Sequence, residues 1–492
     1  MRRLAPWLPL VGVFVWVALA NFHAVANNDI FLHLRVGELV VHDHAVPSVD
    51  EFSATASGRP FIAHEWLSAV TFYGVDELFG GKGLTVLGVL IALASAGLLL
   101  ASVPREARTR PGVAFALVVA MYLFTLTSEV RPHLYTQLIL CGYAFAIERW
   151  RRRGGWRPLV WLILVQVLWV NLHGGYLFGP VLLAVLAGSV AVQAASTRLC
   201  SDGERAYTWA DFRCVAAVAL ACVVASCLNP YGPRIFWFSI ELSLRSEYMR
   251  SLINEWKSPF AGFPWLVRFE AIYVFIAALV LLWAGILRRI RGKPLVDAAY
   301  ALLVTVVAVR ARRFIPFVGI LGFPIAVRSL PRGRPWLRIC EGVLVALLVV
   351  ATPRMGFVIS NVERYPMGWG FGGEVIGYEG VEVMKRLGLR GVVLDEYVDG
   401  GYLIYRLYPD VRPVVDSRID IYGEKLHREL LDAASSKTKL YAYLAKYNVN
   451  IVLLSPASEH VFQSLQTDPN WELAYAGPTR FLFVRRAGVH RI

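Results

Sequence analysis

Charge is the scarcest ingredient of this 492-residue sequence. Asp, Glu, Lys and Arg together make up 17% of it, against 57% hydrophobic residues. Soluble domains carry roughly 25% charged and about 45–50% apolar residues, so a water-soluble globular chain is excluded. Cysteine is scarce too. Cys141, Cys200, Cys214, Cys222, Cys227 and Cys340 all lie in or beside apolar segments, and no C-x-x-C pair occurs. That excludes a disulfide framework in the polar tail and a paired-thiolate metal site, and leaves the cysteines as small hydrophobes within helices. Internal repeats and low-complexity tracts are absent. The central thirds of the apolar segments hold almost no ionisable residues, which disfavours a transporter, whose sites lie near the bilayer midplane.

What the sequence has in quantity is apolar residues in blocks. They fall near residues 7–25, 83–102, 112–127, 134–147, 158–171, 176–195, 212–228, 270–287, 295–309, 315–330 and 339–358. A span takes about 20 apolar residues, so the pattern predicts a multi-span α-helical membrane protein with about 11 transmembrane helices. Met1-Arg2-Arg3 runs straight into the first block, and no suitably placed small-residue cleavage site follows. That predicts an uncleaved anchor rather than a signal peptide.

The basic excess, 50 Lys and Arg against 36 Asp and Glu, gives a formal charge of +14. In a soluble chain this would suggest nucleic acid; here the arginines alternate with the loops. Arg2 and Arg3 precede the first block, and Arg105, Arg108 and Arg110 follow the second. Arg149, Arg151, Arg152, Arg153 and Arg157 follow the fourth, Arg288, Arg289, Arg291 and Lys293 the eighth, and Arg332, Arg334 and Arg338 the tenth. Lys and Arg accumulate in cytoplasmic loops, so the amino terminus is expected inside and the carboxyl tail outside, with no nucleic-acid partner.

Two domains are expected: a transmembrane part over 1–358, with a first outer loop over 26–80, and a tail over 359–492. The tail alternates short apolar runs (391–394, 412–416, 449–454) with helical patterns (423–434, 438–447) and ends in a hairpin across Gly477-Pro478. Strands alternating with helices predict a small extracytoplasmic α/β domain with a partly parallel sheet. Within it, Gly400-Gly401 reads as a strand-to-helix turn, 402–408 as a core helix face, and Asp416 as a partner for Arg418 or Arg412. Acceptor binding beyond the strand ends is the functional alternative there.

Polar residues collect at the outer ends of the predicted spans. They occur in Asn28-Asp29-Ile30-Phe31-Leu32-His33, His64-Glu65-Trp66-Leu67, Glu129-Val130-Arg131-Pro132-His133, Asn171-Leu172-His173-Gly174-Gly175, Asn229-Pro230-Tyr231-Gly232, Asn254-Glu255-Trp256 and Arg310-Ala311-Arg312-Arg313. If helical, Asp29 and His33 share a face at i, i+4. Ionisable groups at a membrane boundary tend to mark function when they face one cavity; singly they read as solvated loop residues, and Trp66, Trp169 and Trp256 as interfacial anchors. Asp29, with Glu65 or Glu129 as helper, suits a general base on an acceptor hydroxyl. Arg131, Arg310, Arg312 and Arg313 suit a phosphate, for which the planar guanidinium is well shaped. His33, His64, His133 and His173 fit metal ligation, hydrogen bonding to phosphate or acid–base work. Asn171 and Glu255 complete the candidate substrate-binding set. No spacing is diagnostic of a metal, and a divalent cation (Mg or Mn) stays an open alternative.

The segments Asn28-Asp29-Ile30-Phe31-Leu32-His33-Leu34-Arg35-Val36-Gly37-Glu38, His64-Glu65-Trp66-Leu67, Arg131-Pro132-His133, Asn171-Leu172-His173-Gly174-Gly175 and Asn229-Pro230-Tyr231-Gly232, with Gly400-Gly401-Tyr402-Leu403 and Asp416-Ser417-Arg418-Ile419-Asp420-Ile421-Tyr422-Gly423 in the tail, resemble bacterial membrane proteins of the GT-C glycosyltransferase superfamily over nearly the whole chain. The resemblance implies a bacterial inner-membrane enzyme. It would move a sugar from a polyprenyl-phosphate donor to a lipid, glycan or protein acceptor on the outer face. The superfamily's acidic residue or pair in the first outer loop corresponds to Asp29; Asn28 stands where a second acid would be, so the partner acid is Glu38, Glu65 or Glu129, or is absent. A non-catalytic component that binds lipid-linked glycan, and a lipid-linked oligosaccharide ligase, are the alternatives. The topology has a direct check. A single cysteine introduced as Ser417→Cys should react with a membrane-impermeant thiol reagent added outside, and protection there would overturn it.

Overall fold

The computed structural model describes residues 5–196, 205–244, 247–261, 269–331, 336–360, 363–372 and 378–486. Two compact units emerge: Met1–Ala24, Lys82–Ile240 and Arg250–Trp369 form the first, and Val25–Gly81, Glu241–Met249 and Gly370–Ile492 the second. The loop expected with the membrane helices therefore groups with the tail.

The chain opens with α1 (Leu8–Ala20), α2 (Asp29–Asp43) and α3 (Trp66–Ser102). Gly80, at φ 63°, breaks α3; this left-handed conformation is one that glycine adopts at little cost. Next come α4 (Arg105–Arg108), α5 (Val113–Thr125), α6 (His133–Arg153), α7 (Arg157–Leu172) and α8 (Phe178–Ala195). They are followed by α9 (Trp209–Ala225), α10 (Arg234–Leu244), α11 (Glu247–Leu252) and α12 (Phe269–Arg288). The apolar helices end with α13 (Leu295–Arg310), α14 (Ile315–Ser329) and α15 (Trp336–Met355).

Each of the eleven apolar blocks lies on a helix. Among the described residues four helical stretches are long and apolar enough to cross a membrane: Trp66–Ser102, Gly174–Ala195, Ala271–Arg288 and Trp336–Met355. α1, α5 and α7 are apolar but shorter. The expected eleven spans thus become eleven helices, four of which meet the length and composition of a crossing.

Within the first unit α14 is the central element. Twelve of its 15 residues are buried, as befits a helix apolar on every side, and it packs on α5, α6, α12 and α13. Gly319 makes the closest approach to α5, since a β-carbon there would lie 2.7 Å from the Ala120 carbonyl oxygen. Small residues let membrane helices approach in this way.

The helix ends are tied by buried charge. Asp297 of α13 is fully buried and takes Arg151 of α6 at 2.7 Å, Arg328 of α14 at 2.6 Å and Arg289 at 2.6 Å. Glu148 takes Arg328 at 2.5 Å and Arg151 at 3.0 Å. An unpaired buried carboxylate costs several kcal/mol, so these five side chains stand or fall together. Arg151 and Arg289, read above as topological charges, therefore also hold helices together.

In the second unit, α16 (Tyr378–Arg386), β3 (Gly391–Leu394), α17 (Gly400–Leu407), β4 (Val411–Pro413) and α18 (Ile419–Ala433) lead into α19 (Lys437–Lys446), β5 (Val449–Leu454), α20 (Glu459–Gln466), β6 (Trp471–Ala476) and β7 (Phe481–Arg485). An antiparallel pair, β1 (Phe357–Ser360) and β2 (Glu363–Pro366), precedes them in the first unit. The sheet order is β4-β3-β5-β7-β6. β3 pairs parallel with β4 and β5, and β5–β7–β6 is antiparallel, as expected from the alternating pattern and closing hairpin.

The segment 25–81 belongs to this core for a physical reason. α2 carries Leu32 and Val36, which join a cluster with Phe52, Phe61, Ile404, Val414 and Val452. The Phe31 ring meets those of Phe371, Tyr378, Tyr402 and Tyr405 at 4.8–5.6 Å. Gly400 and Gly401 are helical rather than a turn. A β-carbon on Gly401 would lie 2.7 Å from the Asn28 carbonyl oxygen, and one on Gly400 2.2 Å from that of Val415. Arg418 sits within 5.0 Å of the Phe52 and Phe61 ring centroids and binds Asp50 at 2.7 Å and Asp416 at 2.6 Å.

The Gly319 contact is testable. Gly319→Val forces two methyls toward the Ala120 backbone, and such overpacking typically costs about 1–3 kcal/mol. A lowered melting temperature in detergent is expected, and an unchanged one would show that α5 and α14 are not packed this tightly.

Candidate functional site

The candidate residues form two clusters, one in each unit. The first surrounds the α5–α6 connection. Pro132 precedes α6 and His133 is its first residue. Arg131 Nη1 lies 2.6 Å from Glu255 Oε1 and 3.8 Å from Glu129 Oε2. Glu129 is buried and accepts from the Tyr365 hydroxyl at 3.1 Å. Burial alone would raise Glu255, but Arg131, Arg313 and His133 hold it at about 2, so it is an anion at neutral pH. Arg313 lies over the Trp256 ring at 4.5 Å, a cation–π contact. Arg312 is almost wholly buried, donates from Nη2 to the Ala261 carbonyl at 2.8 Å, and is drawn by burial to about 10, which leaves it charged.

Two histidines extend this cluster. The His133 and His173 ring centroids are 6.5 Å apart. His133 Nε2 lies 2.6 Å from the Thr127 carbonyl, which makes it the protonated nitrogen. His173 Nδ1 accepts from the Gly175 N–H at 3.0 Å and lies 2.8 Å from Thr136 Oγ1. Trp169 Nε1 donates to that hydroxyl at 2.7 Å. Trp169 is fully buried, so it is a fixed part of this network and not an interfacial anchor. Thr136 and Tyr365 escaped the sequence reading; Thr136 lies three residues after His133 on one helix face, and that spacing was the available signal.

Two more expected members are Asn171 and Arg310. Asn171 Nδ2 donates to the Val167 and Leu228 carbonyls at 2.8 and 2.9 Å, a structural tie between α7 and the end of α9. Arg310 is exposed at the last position of α13.

The second cluster is built on α2. Asp29 is its first residue, half-buried, with its N–H donating to Asn27 Oδ1 at 2.9 Å. The helix amino terminus carries partial positive charge and favours an anion there. His33 follows one turn later, and His33 Nε2 and His64 Nε2 each lie 3.6 Å from a different oxygen of Glu65. Of the three candidate partner acids, Glu38 is engaged by Arg35 at 2.7 Å, Glu129 belongs to the first unit, and Glu65 lies beside His33. Asn28 donates its side-chain amide to the Val398 carbonyl, a structural role consistent with its not being an acid. Trp66 packs against the second unit's core.

Among the described residues no three His, Cys, Asp or Glu side chains converge as a metal-ion site. The chemistry below is derived from the side chains. The acids beyond the strand ends are internally committed. Asp395 is buried and accepts from the Val414 and Val415 N–H groups, with its carboxyl raised well above the usual range by burial and by Asp399. Asp399 binds Arg480 at 2.7 Å, and Asp416 binds Arg418 as one sequence alternative had it. The cavity beside Tyr397, Val415 and Tyr422 holds about 10 Å³, at most a water's worth of space.

The apolar helices are those of a multi-pass membrane protein, and the fold is GT-C-like, as three solved structures show. The chain is similar to the oligosaccharyltransferase AglB of Archaeoglobus fulgidus, solved with an inhibitory peptide and a dolichol-phosphate. The TM-score is 0.60 at 12% identity, over 92% of this chain and 69% of that one. A second A. fulgidus oligosaccharyltransferase structure, with Zn and sulfate, matches at TM-score 0.56 and 12% identity over 98% and 74%. ArnT from Cupriavidus metallidurans in the apo state matches at TM-score 0.56 and 14% identity, over 97% of this chain and 96% of that one. No family model matches the sequence, nor does any curated protein. The likeness is one of fold.

Glu255→Gln tests the first cluster. It removes the charge facing Arg131 and Arg313, and hydrogen bonds to charged groups are worth about 1.5–3 kcal/mol. Because the folded-state pKa of Glu255 is depressed to about 2, its contribution is present above the unfolded value, near 4.3, and is lost as pH falls toward 2. The variant should melt earlier than the parent at pH 7 and converge with it toward pH 2. A difference independent of pH would show that Glu255 is not held as an anion.

Proposed function

We propose that the chain is a membrane glycosyltransferase that moves a sugar from a polyprenyl-phosphate-linked donor to a lipid, glycan or protein acceptor. The observation that carries this reading is Asp29 at the head of α2, in the segment after the first apolar helix of a GT-C fold. The dolichol-phosphate in the similar AglB structure supports a polyprenyl phosphate as the leaving group. The setting is the outer face of a bacterial inner membrane, with the amino terminus cytoplasmic, as the arginine distribution favours.

Chemically, the acceptor hydroxyl oxygen attacks the anomeric carbon while the bond from that carbon to the phosphate oxygen breaks. Asp29 takes the hydroxyl proton, and polyprenyl phosphate leaves with the electron pair. Glu65, bracketed by His33 and His64, is the helper acid in the same unit. Burial and the Tyr365 hydrogen bond favour a binding role for Glu129 beside Arg131 over a catalytic one. Arg131 and Arg313, in the first unit, are proposed as phosphate-binding cations in their own right, Arg313 held flat by Trp256. The likeness to an oligosaccharyltransferase favours, as a second reading, transfer of a preassembled lipid-linked oligosaccharide.

The test is transfer of radiolabelled sugar from a panel of polyprenyl-phosphate donors by the purified protein in vesicles. Asp29→Asn should lower turnover by about 100-fold or more, the usual contribution of a general base, with insertion and melting temperature unchanged. Retained turnover would sink the base assignment.

A further inference from the structure

At the same end of the first unit as the Asp297 ion cluster, α5, α12 and α14 leave a cavity of about 260 Å³ between them. Its walls are almost entirely apolar, and small residues make the room: Ala116 and Ala120 on α5, Ala278 on α12, Gly322 and Ala326 on α14. The cavity is open on one side, and Leu281 and Phe115 at its rim are exposed. In a bilayer that open side faces hydrocarbon, and walls left without partner atoms lose their dispersion contacts.

One end of the cavity is charged. Arg288, the last residue of α12, lines it and is exposed. The carboxylates at this end of the unit are already used: Asp297 by Arg151, Arg289 and Arg328, Glu148 by Arg151 and Arg328, and Glu341 by the Phe115 N–H at 3.1 Å. Ser329, beside the opening, is also engaged, receiving Arg289 Nε at 3.0 Å and donating to the Ile325 carbonyl at 2.9 Å. Among the described residues no acid pairs with Arg288, so the fold supplies a cation without its anion at the mouth of an apolar groove.

We infer that this groove binds one acyl chain of an anionic phospholipid, with the lipid phosphate on Arg288. Two features select that occupant. The apolar walls take a hydrocarbon chain, and a guanidinium at the interfacial end of a groove between membrane helices recognises a phosphate headgroup. The site is separate from the residues proposed for sugar transfer, and its occupant braces α5 against α12 and α14.

Native mass spectrometry of the detergent-solubilised protein, supplied with equal phosphatidylglycerol and phosphatidylcholine, provides the test. One phosphatidylglycerol should be retained per chain in at least a tenfold excess over phosphatidylcholine, and it should raise the melting temperature. Arg288→Gln should reduce that excess to about twofold or less, with a chain still retained. Ala278→Phe should fill the groove and remove the retained lipid of either kind. Equal retention of both lipids by the parent protein would overturn the inference without recourse to a variant. So would unchanged phosphatidylglycerol retention in both variants, which would mean loosely associated boundary lipid only.

Discussion

The first unit depends on five side chains that are strongly polar in an otherwise apolar setting. Asp297 and Glu148 gather Arg151, Arg289 and Arg328, and so tie together four helices or their ends. Apolar packing alone gives helices in a membrane little reason to choose one partner over another, because lipid is as apolar as leucine. Buried charge supplies that choice, since any other arrangement strands a carboxylate or a guanidinium. The close Gly319–Ala120 contact then brings α5 against α14, and α6, α12 and α13 pack on α14 as well.

The second unit is organised on a different principle. It resembles a water-soluble α/β domain, with a five-stranded sheet and an aromatic core. Its distinctive feature is that α2 and the segment after it complete that core. Phe31 enters an aromatic group with Tyr378, Tyr402 and Tyr405, and Gly401 allows the backbone at Asn28 to come close. The position of Asp29 is therefore set by residues between Tyr378 and Tyr405, far along the chain. Substitutions in 400–405 would be felt at the proposed base without touching substrate.

Much of this was legible in the sequence, for reasons that can be named. The apolar blocks found their helices because hydrocarbon tolerates few other backbone arrangements. The strands at 391–394 and 449–454 and the closing hairpin were readable because short β-branched runs bounded by Gly and Pro have few alternatives. Asp29, His33, Glu65, Arg131, His133, His173, Glu255 and Arg313 stood out because polar groups at helix ends contrast with their surroundings. Trp169 was misjudged: it looks interfacial by position, but it is buried in a hydrogen-bond network. Position in a span does not say which way a side chain faces.

By itself the sequence determined composition-driven properties: a membrane setting, helices where the apolar blocks lie, a partly parallel sheet in the tail, and the set of polar residues available for chemistry. These follow from local patterns, because the backbone must satisfy its own hydrogen bonds and apolar surface must leave water. Only the tertiary structure decided how the charges are spent. It committed Arg151, Arg289 and Arg328 to two buried acids, Asp395, Asp399 and Asp416 to the tail's interior, and Glu255 to the arginines beside it. Pairs such as Arg151–Asp297, Glu148–Arg328 and Arg131–Glu255, more than a hundred positions apart, leave no periodic trace in a sequence, since the desolvation cost that enforces them exists only once the chain has folded.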